Sequence, residues 1–245
     1  MDEIFENVIS GMSNAFVRLS STIPAPQLSK YADGYVYRFR RQGFEEAIVL
    51  KVARLITLLQ SGKLLLDQGF LQEVGAIQRS LDEVDSDILF LCGPLIFGNQ
   101  ERAHTQYLDD FFAEEFDQPR DALGSTQKRS RVRRSKIRAY NARAYAAGLA
   151  VDRAIKVLET IDNAYSGFVH ASSVHTMDMY YGNPPKFHIH GMKGTSRQRD
   201  SQDDFKNYIY RSVGSMAFAA KALDCERLFE ELYALSTAVM RDLRL

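Results

Sequence analysis

The chain has no surplus of either charge: 31 Lys and Arg stand against 31 Asp and Glu, for a formal net charge of zero. A global electrostatic pull toward nucleic acid or an anionic membrane is thereby excluded, so any such affinity must come from a local patch. Cysteine is nearly absent. Cys92 and Cys225, the only two, lack C-x-x-C spacing and sit in apolar surroundings. They are expected to be reduced core residues in a cytoplasmic protein.

Long apolar runs are missing too. Stretches such as IVLKVARLITLL and DILFLCGPLIFG are broken by charge or proline well short of the roughly 18 residues that a membrane span needs. The N-terminus, MDEIFENVISG, opens with two acids where a secretory signal carries basic residues. No membrane partner and a cytoplasmic location are expected. Several catalytic signatures are also lacking: no G-x-S-x-G, no phosphate or dinucleotide loop, no H-E-x-x-H and no paired E-x-x-H. No cofactor and no resident metal is expected.

What is present is helical periodicity. Apolar residues at 45% and charged residues at 25% are ordinary values, and 245 residues suffice to bury roughly 70% of the unfolded surface. Ile4, Phe5, Val8, Ile9, Met12, Phe16 and Leu19 recur at helical spacing and predict a helix over residues 2–20. Residues 31–41 alternate in a way that suits a strand, but a short helix or irregular segment is favoured. Helices are predicted over 43–68, with Gly69 as the stop, and over 70–91. In the latter, Ile77, Leu81, Val84, Ile88 and Leu91 form one stripe while Arg79, Glu83 and Phe90 face the other way. Further helices are predicted over 100–116, over 137–169 as one long element, and over 203–223 and 226–241. Segment 187–199 reads as a loop. All six prolines fall between these helices. The prediction is an all-α bundle of about seven to nine helices, one domain spanning 1–245, with a basic flexible segment near 124–138 and a loop near 182–202.

Two stretches carry candidate chemistry. Residues 161–190 hold four of the five histidines, His170, His175, His188 and His190. Metal binding would require them to converge with Asp178, but His170 and His175 lie about 140° apart on a helix, which disfavours a shared ion. The second stretch, KRSRVRRSKIR, places Lys128, Arg129, Arg131, Arg133, Arg134, Lys136 and Arg138 within eleven residues. On a helix they point in all directions, so the segment reads as a projecting helical turn or a mobile loop. With Tyr140, Arg143 and Tyr145 following, it is a candidate nucleic-acid contact. Alternatively it neutralises the acidic helix at 109–121.

The segment GFLQEVGAIQRSLDEVDSDILFL, followed about 80 residues later by NAYSGFVHASSVH, resembles a family of uncharacterised all-helical bacterial proteins that are distantly similar to the HEPN-like domains of defence and toxin systems. The resemblance spans residues 45–180 and rests on Arg79, Ser80, Leu81, Glu83, Tyr165 and His170. It implies a helical, nucleic-acid-associated protein that binds or cleaves RNA, with Arg79, Glu83 and His170 as catalytic candidates. The chain departs from the HEPN ribonuclease pattern in one respect: no arginine precedes a histidine by four to six residues. Two alternatives remain from other classes: a non-catalytic helical protein that interacts or oligomerises through its faces, and a metal-dependent hydrolase built on the histidine-rich 170–190 region.

Overall fold

A computed structural model describes residues 2–126, 128–145 and 150–244. The fold is all-α, with nine helices among the described residues. In chain order these are α1 (Asp2–Ser20), α2 (Phe44–Gln68), α3 (Leu71–Phe97), α4 (Arg102–Phe111), α5 (Arg134–Tyr145), α6 (Val151–Val169), α7 (Ser173–Met177), α8 (Ser196–Ala222) and α9 (Glu226–Leu243). Two small hairpins interrupt them: β1 (Gln27–Tyr31) with β2 (Gly34–Arg38), and β3 (Tyr180–Tyr181) with β4 (Lys186–Phe187).

The long helices α2 and α3 form an antiparallel hairpin, because only Gly69 and Phe70 separate them. Helix α8 packs across both, α9 folds back on α8, and α1 packs on α2, α8 and α9. The apolar stripes meet in one core: Met12, Leu19, Leu55, Leu59, Leu81, Ile88, Phe205 and Met216 are essentially free of solvent. Helices α5 and α6 lie on the outer side of α3. There a smaller cluster of Phe90, Ile137 and Tyr140 is sealed, so the second face of α3 is covered as Phe90 suggests.

Five local expectations are corrected. Residues 27–38 form an antiparallel hairpin rather than a short helix. Tyr31 pairs with Gly34, so Ala32 and Asp33 are the two central residues of the turn, and Ala32 takes the positive φ of +50° that a tight hairpin turn needs. Pro94 lies inside α3. It falls in the last turn, where the missing amide leaves a single carbonyl, that of Phe90, without its helical donor. The helix predicted over 137–169 is two helices, because Ala150 is extended (φ −61°, ψ 124°); residues 146–149 of that prediction lie outside the described residues. Finally, α8 begins seven residues before the predicted 203, within the expected loop. Thr195 Oγ1 accepts from the Gln198 amide (3.3 Å), and Gln198 Oε1 accepts from the Gly194 amide (2.7 Å). That is the S/T-x-x-E/Q signature of a helix start. Helix α4 also stops at Phe111, short of the predicted 116.

The same Gln198 donates through Nε2 to the Leu66 carbonyl (2.7 Å), and the Met192 amide donates to the Gly69 carbonyl (2.7 Å). The N-terminus of α8 is thus tied to the C-terminus of α2. Gly69 makes this possible: its φ is +79°, and a Cβ there would lie 2.3 Å from the Lys193 amide nitrogen.

Candidate functional site

Helix α3 carries four acids in six residues, Asp82, Glu83, Asp85 and Asp87, and the helices around it bring cations to them. Asp87, nearly buried, accepts from Lys51 of α2 (2.7 Å), Tyr107 of α4 (2.8 Å) and Arg134 of α5 (2.5 Å). Burial pulls the Arg134 pKa down, and the Asp87 carboxylate more than reverses this, so the guanidinium stays charged. On the α8 side, Arg211 bridges Asp82 (2.7 Å) and Asp85 (2.8 Å), while the Tyr208 hydroxyl donates to Asp82 (3.0 Å) and Ser215 to Asp85. Burial raises the Asp82 pKa against the opposing pull of Arg211.

The predicted catalytic residues separate in this framework. Arg79 donates to Asp162 of α6 (2.5 Å) and pairs with Glu83 (2.8 Å). Arg138 of α5 joins Asp162 from the other side. Arg79 and Glu83 are therefore brought together, with both guanidinium ends engaged by carboxylates. His170 is not brought to them: it is the exposed C-cap of α6, eight residues beyond Asp162, or about 12 Å along a helix. Tyr165 stands edge-on to Tyr208, Ser80 bonds its own helix at Ala76, and Leu81 is core. The remaining histidines are also separated. His175 Nε2 donates to the Ala164 carbonyl (2.9 Å), which leaves Nδ1 to accept from Ser172 (2.7 Å). His188 Nε2 donates to the Tyr181 carbonyl (3.0 Å), and His190 is exposed. Among the described residues, no group of three His, Cys, Asp or Glu is placed to hold a metal ion.

The seven cations of 128–138 divide cleanly. Arg129, Arg134 and Arg138 turn inward, Arg129 onto the Asp110 and Ala113 carbonyls (2.9 and 2.8 Å). Lys128, Arg131, Arg133 and Lys136 are exposed and have no carboxylate partner among the described residues. Exposed Arg102, on α4, joins Lys136 at the wall of an open cleft of about 570 Å³, also lined by Thr105, Gln106, Asp109 and Ser130. The acids 109–115 only partly neutralise the segment: Asp110 pairs with Arg129, but Glu114 pairs with Arg38 of the first hairpin.

Sequence reasoning missed the role of α3 as an anionic spine. The run L-D-E-V-D-S-D was the available signal, together with the i, i+4 spacing of Arg134 and Arg138. It also missed a second cleft, of about 380 Å³, between α3, α6, α7 and the start of α8, lined among others by Gln78, Tyr165, Phe168, Asp200 and Asp204.

No helix among the described residues is long and apolar enough to cross a membrane. Compared with protein-family models, with curated proteins and with solved structures, the chain finds no match in any of the three.

Proposed function

We propose that the protein is a nucleic-acid-binding helical domain that docks the phosphate backbone on its basic edge. One observation carries this reading: four of the seven cations in 128–138 are exposed and without a carboxylate partner among the described residues, one of them, Lys136, sharing a cleft with Arg102, while the other three anchor the segment to acids and carbonyls of the body. Anchoring lowers the conformational entropy lost when the exposed side chains meet phosphate. The shape is that of a backbone contact, which positions without reading bases.

The proposal is for binding. Cleavage by Arg79, Glu83 and His170 would require a change of about a helix turn or more at His170 and the release of Arg79 from two carboxylates. An exposed apolar surface favours interaction as a second reading: Val169, Val174, Met177, Phe187 and Ile189 are each at least half exposed, and a concentration-dependent mass would support it.

The test is a titration with single-stranded RNA and duplex DNA at 50 and 200 mM salt. About four phosphate contacts predict that affinity falls by about 50-fold for RNA and about 150-fold for duplex over that range. A variant with Lys128, Arg131, Arg133 and Lys136 changed to Gln should lose this binding at an unchanged melting temperature. Absence of binding at the lower salt, or binding that survives the substitutions, refutes the proposal.

A further inference from the structure

The second cleft is unlike the basic edge in charge. On α8, Asp200 and Asp204 stand one turn apart at its wall, and neither has an ionic partner among the described residues. Of the cations nearby, Lys206 pairs with Asp203 (2.6 Å), and Arg197, which lines the cleft together with Asp178, pairs with that acid (3.6 Å) while lying over the Tyr181 ring. Burial, with the charges of Asp200 and Asp203, holds the Asp204 carboxyl above its ordinary range, which is the strain that a bound cation would relieve.

Helix α3 supplies an independent observation. Gln78 of α3 is 4% exposed, lines the cleft, and its Nε2 has no hydrogen-bond partner. A buried amide donor left unpaired is costly, and its presence against a cleft calls for an acceptor brought from outside. The rings of Tyr165 and Phe168, with centroids 5.8 Å apart, line the same cleft. Both ring nitrogens of His175, which also lines the cleft, are already bonded.

We infer that this cleft binds a guanidinium group carried on a molecule that also offers a carbonyl, the chemistry of arginine, whether free or within a peptide. The planar fork of a guanidinium spans two carboxylates one turn apart and stacks on aromatic faces, which a compact ammonium does less well. The carbonyl meets the Gln78 N–H. This site is separate from the basic edge and stands or falls without it.

The experiment is isothermal titration calorimetry of the full chain with L-argininamide, with Gly-Arg-Gly amide, and with L-citrullinamide, which keeps the shape and removes the charge. Saturable binding of argininamide or the peptide is expected, with citrullinamide weaker by about tenfold or more. Tighter binding of the peptide identifies a peptide-borne source, and tighter binding of argininamide a free one. Asp200→Asn with Asp204→Asn should weaken binding by at least about tenfold at an unchanged melting temperature, since both side chains are at the surface. Asp203→Asn, on the same helix but paired with Lys206, should weaken it much less than the double variant does. The inference is overturned if neither argininamide nor the peptide binds at millimolar concentration. It is equally overturned if citrullinamide binds as well, or if the double variant binds like the wild type.

Discussion

Asp87 shows how much one side chain can hold. Its carboxylate collects Lys51, Tyr107 and Arg134, so α2, α4 and α5 are all pinned to α3 through a residue only 5% exposed. Asp87→Ala leaves two cations facing an emptied site and should cost about 3 kcal/mol in denaturant unfolding. Arg227→Ala, which removes a surface pair with Glu231, should change stability by less than about 1 kcal/mol. His104 makes a pH prediction. It is fully buried, stacks on Phe90 at 4.0 Å between centroids, and its Nδ1 accepts from the Glu101 amide (2.9 Å). Burial lowers the His104 pKa below its ordinary 6.5. Below pH 6.5 the unfolded chain therefore takes up a proton that the folded chain resists. Melting temperature should fall as pH drops from 6.5 toward the depressed folded value, and His104→Gln should flatten that slope.

Among the elements, the contact between the end of α2 and the start of α8 depends on one backbone conformation. Gly69→Ala adds a Cβ 2.3 Å from the Lys193 amide at a φ of +79°. The left-handed conformation alone costs about 1–2 kcal/mol, and displacing the 191–193 backbone adds to it. Hydrogen exchange at the Met192 amide, which donates to Gly69, should accelerate in that variant. Helix α5 shows a different balance. Its inward arginines pair with Asp87 and Asp162, so Arg134→Gln or Arg138→Gln should lower the melting temperature, whereas Lys136→Gln should not.

At the scale of the whole molecule, the connection from α4 to α5 has neither helix nor strand over its described residues 112–126 and 128–133, and is held by contacts such as Gln106 to Ser130 and Arg129 to Asp110. Limited trypsin digestion should cut first after Lys128, Arg131 or Arg133, which are exposed, while Arg134 and Arg138 are protected within α5. First cleavage at Arg134 or Arg138 would contradict the inward placement of these residues. Periodicity made the helices of the core legible, because the stripe Leu81, Val84, Ile88, Leu91 repeats at the pitch of a helix that buries one face. Periodicity does not say which charges pair across helices. Arg79 and Glu83 were visible as an i, i+4 pair, but Asp162, 83 residues beyond Arg79, was not visible as the second carboxylate on Arg79. Likewise, Lys136 and Arg138 look alike as letters, yet one is solvated and the other buried against α6. Local order was therefore written in the chain itself: the stop at Gly69, the cap at Thr195, the apolar faces and the neutral charge balance. The assignment of each cation to an acid or to solvent, and the placing of Gln78 in one cleft with Asp200 and Asp204, came only with tertiary structure, because a charge is satisfied by whatever packing brings within about 4 Å and sequence separation sets no such distance.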